Sequence, residues 1–100
     1  MDKFFNINNY VKVKLTEEGL KILKSQYNEM LNRMAPQARK SMGPFKKPKT
    51  DKKGYSEFQL WELMQHFGSY MFNGNMNPPF ESTIKISEEY LVDSKKDIRF

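Results

Sequence analysis

Residues 36–54 carry no hydrophobic period, and this break most constrains what the chain can fold into. The stretch holds Pro36, Pro44, Pro48, Gly43 and Gly54, interleaved with Arg39, Lys40, Lys46, Lys47, Lys49, Lys52 and Lys53 and few apolar side chains. Neither an amphipathic helix nor a half-buried strand can be written through it, because both need apolar residues at regular spacing. It reads as a basic mobile loop, and loops this long are commonly either functional or disordered. Any core must therefore be assembled from the two flanks.

The first flank changes period at Thr16. Tyr10 to Leu15 alternates, with Val11, Val13 and Leu15 on one face and Tyr10, Lys12 and Lys14 on the other, which is a strand with one side buried. Thr16 offers a capping oxygen, and Glu17 and Glu18 place negative charge at the positive end of a helix dipole. Leu20, Leu23, Tyr27, Met30, Leu31 and Met34 then recur at helical spacing, until Pro36 forbids continuation. Gly19 is an unfavourable residue for the first turn, by about 1 kcal/mol relative to Ala.

In the second flank, Ser56-Glu57-Phe58-Gln59 matches a capping box, with Tyr55 placed to pack on Leu60 as a staple. The expected helix presents Leu60, Trp61, Met64, Phe67 and Met71 as a broad buried face, widened by Phe58 and Leu63, and ends at Gly68 or Gly74. Residues 73–79 are a turn by composition. Residues 80–87 alternate again, with Phe80, Ser82, Ile84 and Ile86 on one side, as a second strand antiparallel to the first. Glu88 to Val92 extends that strand or makes a short turn.

The order β-α-loop-α-β predicts a small two-layer α+β domain, two helices packed on a short antiparallel sheet. It spans residues 1–94 with the basic loop inside it, and 95–100 form a tail anchored by nothing but Ile98 and Phe100. One hundred residues suffice for one domain and one modest core, and the 14 aromatic residues give that core its apolar area. The absence of cysteine removes disulfides, thiolate metal sites and thiol nucleophiles together. With no signal-like leader and no apolar run of about 18 residues, the expected compartment is the cytoplasm, with no membrane partner.

No constellation of catalytic side chains emerges. His66 is the single histidine, and without cysteine or a second histidine it reads as an ordinary helix residue, so no metal is expected. The five glycines never approach a phosphate-cradling motif, so no nucleotide cofactor is expected. Glu88 and Glu89 read as a solvated turn. Trp61, Phe58, Phe67 and Tyr70 contain the residue types of a base-stacking platform, yet their helical spacing is that of a core face.

Charge is more informative. The chain carries a net +5, but 36–54 hold seven of its seventeen basic side chains against Asp51 alone. The remaining residues carry ten basic and eleven acidic groups, so the body is close to neutral. Arg39, Lys40, Lys46, Lys47, Lys49, Lys52 and Lys53 are therefore the candidate phosphate-contacting residues. A lysine-dominated cluster suits phosphate steering better than base readout. A second candidate face is Tyr10, Lys12, Lys14 and Lys85, an aromatic beside three lysines on the outer side of the sheet.

Three stretches carry a resemblance: Asn9-Tyr10-Val11-Lys12-Val13-Lys14-Leu15-Thr16-Glu17-Glu18-Gly19, Gly54-Tyr55-Ser56-Glu57-Phe58-Gln59-Leu60-Trp61-Glu62-Leu63-Met64, and Asn77-Pro78-Pro79-Phe80. They resemble small accessory proteins of tailed bacteriophages and prophages, a group without an established activity. The resemblance spans the two helices and flanking strands and omits the basic loop. It implies a phage product made inside a bacterium and acting by binding, and it assigns no functional residue. The first expectation is thus a non-enzymatic binding module for a host or phage protein, as in host takeover or defence inhibition. The second is a nucleic-acid-binding accessory protein, for DNA or RNA, using the loop. A minor virion or assembly component follows, and an enzyme comes last.

Overall fold

The structure, a computed structural model, describes residues 2–93. The elements are β1 (Phe4–Phe5), β2 (Tyr10–Val13), α1 (Glu17–Arg33), α2 (Pro36–Lys40), β3 (Ser56–Gln59), α3 (Leu60–Phe67), β4 (Lys85–Ile86) and β5 (Leu91–Val92), with single 3-10 turns at Gly68–Tyr70 and Glu88–Tyr90. The fold is mixed α+β, with helices packed on small antiparallel sheets. The expected tail at 95–100, with Ile98 and Phe100, lies outside the described residues.

The central strand is β2, flanked by β3 and β4 in the order β3-β2-β4, all antiparallel. Alternation in β2 decides its two faces. Val11 and Val13 are fully buried, opposite Phe58 and Ser56 of β3, while Tyr10 and Lys12 point outward, opposite Gln59 and Glu57. Below the inner face, Ile22 and Leu23 of α1 and Leu63 and Phe67 of α3 complete the core with Phe80. Phe67 is its centre, edge-on to Phe58 at 6.3 Å and to Phe80 at 5.8 Å, an arrangement that aromatic quadrupoles favour.

Thr16 caps α1 as expected, its side chain accepting from the Gly19 amide at 3.2 Å. The same hydroxyl donates to the Pro78 carbonyl at 2.6 Å, and the Thr16 amide donates to Pro79 O at 3.0 Å. The start of α1 is therefore a docking point for the 78–80 segment, and Gly19 is what lets it come so close. A Cβ on Gly19 would lie 2.0 Å from Pro79 O. The second half of α1 runs past the sheet, so Met30 is exposed although its spacing places it on the apolar stripe.

Ser56–Gln59 is not a capping box. It pairs residue by residue with β2 and forms a strand, and the helix begins four positions after Ser56. The first amides of α3 find other acceptors: Leu60 N donates to Asn9 O and Trp61 N to Ile7 O, each at 3.1 Å, which settles helix-start donors without a side-chain cap. With Phe58 held in the sheet and Leu63 and Phe67 facing the core, Trp61 and Met64 turn to solvent, at 41% and 60% exposure. The expected buried Trp61 is thus a surface residue.

The strand expected at 80–87 forms only at its ends, as a Leu15–Phe80 bridge and as β4, with Ser82 exposed between them. Residues 88–92 turn once and pair with β1, Phe4 against Val92 and Phe5 against Leu91, and Lys3 and Asp93 close that ribbon with an ion pair. Segment 36–54 also departs from an uninterrupted loop. Pro36 opens α2, where its missing amide costs nothing. Phe45 packs against the core beside Tyr27 at 5.8 Å, and Tyr27 Oη donates to Gly43 O.

Candidate functional site

The outer face of the sheet collects the chemistry. Tyr10, Lys12 and Lys14 share it by the parity of β2, and Lys85 joins them because the register places it directly opposite Lys12. Tyr55, immediately before β3, lies under two cations: Lys85 Nζ is 4.1 Å and Lys14 Nζ 5.1 Å from its ring centroid. The ring's negative face attracts both ammonium groups. Among the described residues the ion pair is Lys3–Asp93, so none of Lys12, Lys14, Lys49 and Lys85 is neutralised by a carboxylate contact. Like charges directly opposite on an antiparallel pair are destabilising, so this face holds Lys12 against Lys85 at a local cost.

Two adjoining hollows open on this face. One, of about 370 Å³, is lined by Tyr10, Lys12, Lys85, Tyr90, Glu57 and Glu89, among others. The second, of about 310 Å³, is lined by Lys12, Lys49, Thr50, Asp51, Tyr55 and Glu57. Lys12 and Glu57 belong to both, so Lys49 of the basic segment reaches the edge of the sheet face.

Asp51 sets that edge. Its Oδ1 accepts from the amides of Lys53 and Tyr55, both at 2.9 Å, and its own amide donates to Tyr55 O at 2.8 Å. The Tyr55 amide first, then the Lys53 amide, with Lys12 and Lys85 at longer range, hold the Asp51 pKa below its ordinary 3.8 against the desolvation that opposes them. Gly54, at φ +89°, makes the tight turn possible. The carboxylate is thus committed to its own turn.

The seven candidate residues of the basic segment are dispersed. Lys49 joins the sheet face. Lys46 instead borders an apolar groove of about 310 Å³ floored by Leu23, Tyr27, Met30, Phe45 and Phe58. Arg39 and Lys40 lie exposed on α2, where Arg39 Nη2 donates to Met34 O at 3.2 Å near the end of α1. Lys47 is exposed, and Lys52 and Lys53 sit at the tip of the Asp51 turn. The second candidate set, Tyr10, Lys12, Lys14 and Lys85, is brought together. Sequence reasoning missed Tyr55, Glu57, Glu89 and Tyr90. The first two were read as a staple and a capping box, and only the alternation of Ser56 to Gln59 against β2 would have placed Glu57 beside Lys12.

His66 is half-buried at the far side of the core. Gln26 Nε2 donates to His66 O at 2.8 Å, which turns Gln26 Oε1 toward His66 Nδ1, also at 2.8 Å. A carbonyl only accepts, so Nδ1 carries the proton and the ring acts as a donor. This is a clasp between α1 and α3. Among the described residues no group of three or more His, Asp or Glu side chains is placed to hold a metal ion, and no helix is long and apolar enough to cross a membrane. No family model, curated protein or solved structure matches the chain.

Proposed function

We propose that the protein is a non-enzymatic binding module of the phage accessory kind, working in the bacterial cytoplasm, and that it takes nucleic acid on the outer face of its sheet. The observation that supports this is the gathering of Lys12, Lys14, Lys49 and Lys85 around Tyr10 and Tyr55 without a neutralising ion pair. A polyanion relieves the repulsion between Lys12 and Lys85, and release of its counterions supplies affinity. Lys52 and Lys53, on the adjoining Asp51 turn, then add contacts along the backbone. The test is fluorescence anisotropy of a labelled oligonucleotide across a salt series. Lys12→Gln with Lys85→Gln should weaken binding and flatten the dependence of log K on log salt by about 0.7–0.9 per lost contact. Wild-type protein that binds no nucleic acid at low salt overturns the proposal.

A protein partner, ranked first from sequence, is the second reading, supported by a different surface. Trp61, Met64 and Ile7 are exposed, and the Trp61 amide bonded to Ile7 O brings two of them side by side. Tryptophan and methionine are enriched at protein interfaces. Under this reading the partner is a host or phage protein with an apolar surface, and its nuclease-resistant copurification is lost in Trp61→Ala. Copurification that survives Trp61→Ala and vanishes with nuclease rules it out.

A further inference from the structure

The larger hollow holds groups that phosphate alone does not explain. Lys12 and Lys85 line it, but so do Glu57 and Glu89, neither of which makes an ion pair or a hydrogen bond among the described residues. Carboxylates repel a phosphate, so their place beside the lysines points to a ligand with an anionic part and a donor-rich part. Tyr10, 44% exposed, and Tyr90 line the same space. Tyr90 is steadied from behind by Phe5, edge-on at 6.4 Å. Aromatic rings, acceptor-only carboxylates and flanking ammonium groups in about 370 Å³ match one nucleotide: base against tyrosine, base edge to carboxylate, phosphate to lysine. The volume falls within the range of roughly 300–1,000 Å³ typical of small-ligand sites.

We infer that this hollow takes one unstacked base of a single-stranded nucleic acid, and that the base carries an amino group on its edge, guanine before adenine and cytosine. The inference rests on the nucleic-acid reading above and sharpens it. Bases inside a duplex are stacked and paired and cannot enter a hollow of this kind, whereas single strands splay theirs onto aromatic side chains. An ionised carboxylate only accepts hydrogen bonds. Guanine offers a ring N–H beside its amino group, two parallel donors for two carboxylate oxygens, whereas adenine and cytosine each offer an amino group alone. Thymine and uracil set a single N–H between two carbonyls that face the carboxylate unfavourably.

The experiment is equilibrium anisotropy at low salt with labelled strands of equal length: thymidine only, alternating guanine and thymine, alternating cytosine and thymine, and a mixed-sequence duplex. The guanine-containing strand is expected to bind at least about fivefold tighter than the thymidine strand, from the worth of one bidentate pair. The duplex should bind more weakly than any amino-bearing strand. Glu57→Gln should erase the preference while thymidine-strand binding persists. Tyr10→Ala should weaken all single strands by about five- to a hundredfold, the stacking share of one base. Both positions are exposed, and circular dichroism confirms that the variants are folded; if Glu57→Gln unfolds, Glu89→Gln on the exposed turn serves instead. Equal binding of duplex and all strands, with Tyr10→Ala inert, overturns the base hollow and leaves the nucleic-acid reading standing. Absence of binding to every probe removes both.

Discussion

Gly19→Ala separates what the sequence implies from what the fold imposes, because the two give opposite signs. By helix propensity alone the change stabilises α1 by about 1 kcal/mol. In the structure the new methyl would sit 2.0 Å from Pro79 O, 3.0 Å from Pro79 C and 3.3 Å from Pro79 Cα. All three are backbone atoms, so no side chain can swing aside. The 78–80 segment must withdraw, and it is held by Thr16 N to Pro79 O at 3.0 Å and by Thr16 Oγ1 to Pro78 O at 2.6 Å. Two strained or broken hydrogen bonds cost about 2 kcal/mol, and a shift of the neighbouring Phe80, buried in the core, brings the total to about 3 kcal/mol, within the usual cost of overpacking. Less the propensity gain, the variant should be about 2 kcal/mol less stable, a fall of roughly 8–16 °C in melting temperature for a domain of this size. Urea denaturation followed by far-ultraviolet circular dichroism measures it. Gly68→Ala is the internal control, since a Cβ there meets nothing within 4 Å and the residue has helical angles, so it should be neutral or slightly stabilising. A Gly19→Ala protein as stable as wild type would refute the docking of the 78–80 segment on α1.

Phe67→Ala should cost about 3–5 kcal/mol as the loss of a fully buried ring; Trp61→Ala should cost no more than about 1 kcal/mol, and a reversed order in thermal melts would mean α3 is rotated. Ser56→Ala removes a buried hydroxyl that has no hydrogen-bond partner. It is therefore expected to be neutral or stabilising by up to about 1 kcal/mol, whereas a loss of about 1 kcal/mol in denaturation would restore the capping box. For Asp51, the folded pKa lies below the ordinary value, so its contribution is fully present above that ordinary value and is lost as pH falls through the folded one. Asp51→Asn should accordingly show a shallower loss of melting temperature than wild type between about pH 5 and pH 2, and parallel curves would show that the turn carries no such linkage.

How far the fold was legible follows from the reach of each interaction. The strand at Tyr10 to Val13, the Thr16 cap and the helix ending before Pro36 depend on residues a few positions apart, and each was readable from alternation, capping chemistry or a missing amide. Parity likewise names Tyr10, Lys12 and Lys14 as one outward set, whereas Lys85 joins them through the β2–β4 register. Ser56-Glu57-Phe58-Gln59 was not, because one short string satisfies two local rules, a capping box and a period-two strand. Only pairing with β2, more than forty residues away, chooses between them. That choice moved the helix start to Leu60, turned Trp61 outward and brought Glu57 beside Lys12. The two-residue strands β1 and β5 are too short to carry any period and exist through each other. Gly19 shows the same division most plainly: locally it is a poor helix residue, and the carbonyl of Pro79, sixty positions later, is the physical reason a side chain has no room there.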